Sequence, residues 1–189
     1  MKQIKLTVPD NWNDITVKQY QEFIKIVESD GKDKDKTIQM VSLFCKVPID
    51  ELNNFAYNDI DKIGKILVKM TKEDPSNIEM TKNVEFNGHT YSVVPNMSEM
   101  TTGEFIDLET YCENVTENLH KIASVLYRKQ IGDVNYFGRY KVEDYDPTHE
   151  KEELMKSFPM GYVLGVLNFF FHLGEKLLTD SANYLETLK

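Results

Sequence analysis

Ser157 to Leu178 reads SFPMGYVLGVLNFFFHLGEKLL, the most apolar stretch of a 189-residue chain. From Phe158 to Leu173 no residue carries a formal charge, and almost all are apolar or glycine. Pro159 suits the first turn of a helix, where a missing N–H costs little. Val163, Leu167, Phe170 and Phe171 keep a helical period, while Tyr162, Val166 and Phe169 fill the other faces. A helix that is apolar all round must be enclosed by its own domain, by lipid or by another chain. Lipid is disfavoured. A bilayer crossing takes about 20 apolar residues, and this run is shorter and carries Asn168 and His172. The reading is a central core helix over 158–178, with Leu167 and Phe170 buried and one end left for an interface. Gly161 and Gly165 have the small-xxx-small spacing that permits close helix contact. His172 reads as a core histidine rather than a ligand.

Upstream, Gln3 to Val8 alternates apolar and polar residues as a half-buried strand does. Thr16 to Gln19 has the capping-box spacing, with Ile15 and Tyr20 placed as the hydrophobic staple, and predicts a helix that stops near Gly31. Lys32 to Lys36 reads as a charged link. Helices follow from Thr37 to Lys46 and from Ile49 to Phe55, then a longer one capped by Asp59. Asn87-Gly88, flanked by alternating residues from Val84 to Val94, is the strongest short code for a hairpin. A lone hairpin is marginal, so Gln3–Val8 is expected as its third strand.

Met100-Thr101-Thr-Gly-Glu104-Phe105 repeats the staple and capping-box pattern of Ile15-Thr16-Val-Lys-Gln19-Tyr20, and both follow a Val-Pro pair. The spacing predicts a helix from Thr101 carrying Phe105, Leu108 and Tyr111. A second runs from Asn118 to Arg128, closed by Arg128-Lys129. The fold class is therefore mainly α with a small antiparallel β-sheet (α+β), a helical domain around the apolar helix 158–178. The chain reads as a single domain over 1–189. Its parts are 1–75 (strand plus helices), 84–129 (hairpin plus helices), 130–146 (long loop) and 147–189 (C-terminal helices).

The loop from Gln130 to Asp146 holds Tyr136, Phe137, Tyr140 and Tyr145. A connection this long in a compact domain is usually functional or flexible. Aromatic anchors carry much of the energy of protein interfaces, so these four are the candidate protein-contact residues. The alternative is a loop packed over its own core.

The formal net charge of −9 argues against direct nucleic-acid binding, which needs basic residues against phosphate. Cys45 and Cys112 read as buried free thiols inside helices. The N-terminus lacks the apolar run of a signal peptide, so a cytosolic site of synthesis is expected. His89, His120, His149 and His172 show no metal-ligand spacing, and no HExxH, CxxC, phosphate-loop or GxSxG motif occurs. Asp144, Asp146 and Glu150 crowd around Tyr145, read as a charged loop face before a cation site. No catalytic residue, cofactor or metal is expected, and the chain does not read as an enzyme.

Four phrases in order carry a likeness: VPDNWNDITVKQYQEF, FNGHTYSVVPNMSEMTTGEFIDLETY, NLHKIASVLYRK and FPMGYVLGVLNFFF. Their order extends a likeness of pattern over most of the chain, which resembles small virion or assembly proteins of crAss-like tailed bacteriophages. The resemblance implies a non-enzymatic particle protein, a repeated subunit of a ring at the portal, head–tail connector or tail. Its partners would be other phage structural proteins and further copies of itself, with no membrane. The other function class is a tail assembly chaperone that leaves before maturation.

Overall fold

Helix α1 (Val17–Glu28) starts where Thr16 leaves the backbone extended. The Thr16 hydroxyl accepts from Gln19 N, and the Gln19 side chain accepts from Thr16 N, the reciprocal box that the spacing predicts. The first N–H groups of a helix have no partner within it. Here Val17 N donates to Phe158 O and Lys18 N to Lys156 O, both at 2.9 Å, while Met160 N donates to Ile15 O at 2.9 Å. The start of α1 is thereby sewn to the entrance of the apolar helix. Ile15, Val17, Phe158 and Met160 are all buried at the seam.

The computed structural model describes residues 6–72, 74–134, 136 and 138–172. After α1 come α2 (Asp33–Cys45), α3 (Ile49–Leu52) and α4 (Tyr57–Thr71). α2 takes in most of the charged run read as a link. Asp33 and Asp35 lie in its first turn, where negative charge suits the helix dipole. Asp59 does not cap α4; it lies in the first turn and pairs with Lys62 at 2.9 Å.

Strands β1 (Asn83–Phe86) and β2 (His89–Val93) turn on Asn87 and Gly88, at φ 49° and 74°. These are the two left-handed positions of a type I′ turn. Then follow α5 (Thr102–Cys112), α6 (Val115–Leu126), β3 (Tyr127–Ile131), β4 (Lys141–Val142) and α7 (His149–Met155). The apolar helix, α8, is described from 160 to 172. The fold is mainly α with a small antiparallel sheet, eight helices and four strands among the described residues.

The sheet is antiparallel in the order β1-β2-β3-β4, and it corrects two expectations. The strand beside the hairpin is β3, not Gln3–Val8: Tyr91 faces Lys129, Ser92 faces Arg128 and Val93 faces Tyr127. Leu6 to Val8 form no strand, and Gln3 to Lys5 lie outside the described residues. The position was available to β3 because α6 passes into it with no loop. Tyr127 turns extended, at φ −106° and ψ 115°. In addition, the supposed long loop contains the end of β3 and all of β4, so the open connection is 132–140.

Phe158, fully buried, is the hub of the core. Its ring centroid lies 5.0 Å from Phe86, 6.1 Å from Tyr91 and 5.1 Å from Tyr127, one contact from each of three strands, and 6.0 Å from Tyr162. The Tyr127 hydroxyl donates to Thr81 O at 2.7 Å. Leu167 is buried as expected, and Phe170 is half-buried. His172 is exposed, contrary to the core reading, because it lies beyond the enclosed turns, where Phe169 and Phe171 are exposed too. The two glycines of α8 admit the short 3-10 turn Trp12–Asp14 and the segment before β1, not a second α-helix. A Cβ on Gly161 would collide with Asn13, and one on Gly165 would lie 2.5 Å from Glu79 O. Among the described residues no helix is long and apolar enough to cross a membrane.

Two stability outcomes follow, both read by denaturant unfolding. Phe158→Ala should cost about 3–5 kcal/mol, since it empties the contact between sheet and helices. Gly165→Ala should cost about 1–3 kcal/mol, because the obstacle is backbone and cannot rotate away. Gly103→Ala is the control: its Cβ would meet only Thr101 Oγ1, at 4.0 Å. Unfolding midpoints identical for wild type and Gly165→Ala would refute the close approach.

Candidate functional site

The connection 132–140 is shaped by glycines at its two bends, Gly132 at φ 69° and Gly138 at φ 74°. Both conformations are strained for any residue with a Cβ. Tyr136 stands between them and is 97% exposed. Phe137 lies outside the described residues. Tyr140 turns inward instead. Its hydroxyl donates to Val93 O at 2.8 Å, and burial raises its pKa. It forms one wall of a groove of about 880 Å³ with Val94, Met97, Phe169 and Phe170. Tyr145, past β4, donates to Asp107 Oδ2 at 2.8 Å. Burial first, and then that hydrogen bond, pushes its pKa up. Both phenols stay protonated and act as fixed donors. Of the candidate contact residues, then, Tyr136 faces outward, while Tyr140 and Tyr145 fasten the segment to its own fold.

Tyr145 leads to α5, which departs from its expected orientation. The spacing placed Phe105 on the packed face, yet Phe105 is 59% and Ile106 53% exposed, and the one fully buried residue of the helix is Glu104. The cause is Arg128, whose Nη1 lies 2.6 Å from Glu104 Oε1, with the two side chains 9% and 5% exposed. Glu104 Oε2 accepts from Thr101 N, closing the predicted capping box. One carboxylate therefore caps α5 and neutralises a buried guanidinium. Arg128 Nη1 also donates to Glu143 O at 3.3 Å, while its Nε is buried without a partner. Arg128 was expected to close a helix; it sits on β3 instead.

The remaining ties of α5 are polar as well. Asp107 accepts from Tyr145. The Tyr111 hydroxyl donates to Glu152 Oε1 at 3.1 Å, and Asn118 Nδ2 donates to Tyr111 O at 3.2 Å. Burial raises the Tyr111 pKa, and the Glu152 carboxylate adds to it. Cys112, expected to be buried, is exposed on the far side of this helix, and Cys45 is half-buried; both are free. Burial raises both thiol pKa values.

His89 opens β2, exposed, with Lys129 Nζ 3.2 Å from its Nε2. Asp146 lies 3.7 Å from Lys151, which also reaches Glu143 at 3.2 Å. Among the described residues no group of three or more His, Cys, Asp or Glu could hold a metal ion.

The Glu104 carboxyl experiences burial, which alone would raise its pKa. The Thr101 hydrogen bonds and the Arg128 charge outweigh it, and the pKa ends below its ordinary 4.5. A carboxyl depressed on folding adds stability above its unfolded pKa, and that stability is lost as pH falls through the folded pKa. Glu104→Gln should cost about 3–5 kcal/mol near pH 7, because it leaves Arg128 buried with no counter-charge. It should also remove part of the acid-side loss expected of wild type as pH falls below the ordinary carboxyl value of 4.5. Unfolding midpoints measured across pH check both effects, and parallel pH profiles for the two proteins would contradict the assignment.

Compared with known proteins, the chain matches no protein-family model, no curated protein and no solved structure.

Proposed function

We propose that this chain is a non-enzymatic structural protein of a tailed bacteriophage particle, a repeated subunit of a ring at the portal, head–tail connector or tail. Function in this reading is contact with neighbouring chains. The observation that carries it is Tyr136, 97% exposed in the connection between β3 and β4. Tyr140 fixes the connection to β2 on one side, and Tyr145 fixes the segment beyond β4 to α5. A large exposed aromatic is the kind of side chain that anchors protein interfaces. Tyrosine suits the position because its ring offers apolar area and its hydroxyl accepts or donates at the rim. The acidic balance of the chain supports attachment to proteins rather than directly to packaged DNA.

The expected outcome in purified particles is the chain at stoichiometric copy number by quantitative mass spectrometry. Its absence from mature particles, with assembly failing when it is deleted, would replace this reading with an assembly chaperone. Tyr136→Ala should leave the unfolding midpoint within about 0.5 kcal/mol of wild type, as surface substitutions do, and should lower incorporation into particles. Tyr140→Ala, by contrast, is expected to disturb the fold itself, since it removes a half-buried ring and the donor to Val93 O.

A further inference from the structure

The outer face of α5 carries Phe105, Ile106, Glu109, Cys112 and Glu113, all exposed. Their spacing puts them in one stripe along the helix, since residues three and four apart are neighbours. On the opposite side, Glu104, Leu108 and Tyr111 face the body. The helix thus holds a charged group inside and two large apolar groups outside, the reverse of an ordinary surface helix. This inversion is stabilised by the ion pair to Arg128 and by the tyrosine–carboxylate contacts of Asp107 and Tyr111. Adjacent large apolar side chains held outward in this way mark an interaction surface.

We propose that this face of α5 docks another protein, through an amphipathic segment whose apolar strip is bordered by lysine or arginine. Charge selects the partner. α5 contains no Lys or Arg, and its exposed stripe carries Glu109 and Glu113 beside the apolar pair. Against a second copy of the same face, glutamates would meet glutamates in a chain already at −9. A basic border instead meets Glu109 and Glu113 with opposite charge, which sets orientation and speeds encounter. Phe105 and Ile106 supply the apolar contact at the centre of the patch. The proposal rests on the reading that this chain works by protein contact, and is independent of its place in a phage particle.

The test uses the full chain and two synthetic amphipathic helices, one of leucine and lysine and one of leucine and glutamate, followed by fluorescence anisotropy. The leucine–lysine peptide should bind saturably and the leucine–glutamate peptide should not. Replacing Phe105→Ser and Ile106→Ser together should weaken binding about tenfold or more. Both positions are exposed, so circular dichroism and the unfolding midpoint should be unchanged. Glu109→Lys with Glu113→Lys, a second variant that leaves the apolar pair in place, should reverse the preference between the peptides. Absence of binding, or binding that neither variant alters, would overturn the proposal. So would sedimentation showing a wild-type dimer that the serine variant converts to monomer, since the occupant would then be a second copy. A chain missing from purified particles would defeat the phage reading and leave the peptide result standing. Failure of peptide binding would defeat this face alone.

Discussion

Three backbone hydrogen bonds between 15–18 and 156–160 hold the two ends of the described fold together. Their importance comes from what surrounds them. Ile15, Val17, Phe158 and Met160 exclude water from the seam, so an N–H left unpaired there would carry its full desolvation penalty. The capping box already uses the N–H groups of Thr16 and Gln19. The two between them, on Val17 and Lys18, can be satisfied only from outside the helix, and the 156–158 carbonyls are placed to do it. Closing so long a stretch of chain is entropically unfavourable. The burial of Phe158 against Phe86, Tyr91 and Tyr127 offsets that cost, since one ring joins three strands to both helix starts. The position of the sheet over α8 follows from this seam.

A second constraint acts on the other side of the sheet. Arg128 is carried inward because β3 continues α6 without a turn and pairs Arg128 with Ser92. A buried guanidinium needs a counter-charge, and Glu104 is the residue that can deliver one while still serving its own helix. Once Glu104 points inward, helical geometry does the rest. Leu108 and Tyr111, four and seven positions on, follow it to the packed face, and Phe105 is rotated by about 100° away from it. The exposed apolar pair is thus a consequence of a buried ion pair.

Elements with local codes were legible in the sequence. Both capping boxes form as the Thr16–Gln19 and Thr101–Glu104 spacings predict, and Asn87-Gly88 makes its hairpin turn. The apolar run does enclose its first turns, with Val163, Val166 and Leu167 buried. What failed depends on distant partners. The third strand was assigned to Gln3–Val8 because no other stretch read as a strand once the helix was carried to Arg128, yet strand pairing is decided by packing on both faces. Arg128-Lys129 resembled a helix end because nothing local announces that the chain straightens at Tyr127. Phe105 was placed inward because a staple at that position normally packs, and no spacing rule links Glu104 to an arginine on another element. Gly161 and Gly165 were read as permitting close contact with another helix, but the approaching groups are Asn13 and Glu79, which no pattern within the helix identifies.

The aromatic segment shows how one residue type divides its labour by position. Ordering the backbone costs about 1–2 kcal/mol per residue, so a segment with no core contacts would stay unstructured. Tyr140 and Tyr145 counter that cost twice each, by burying ring area and by donating to Val93 O and Asp107 Oδ2. Both hydroxyls donate, and burial holds their pKa values above the ordinary phenol value. Tyr145 anchors to α5, and α5 is itself held by Glu104 and Arg128. The segment beyond β4 and the outward-turned α5 are therefore tied together through Asp107. A change that releases α5 should therefore also loosen the segment beyond β4.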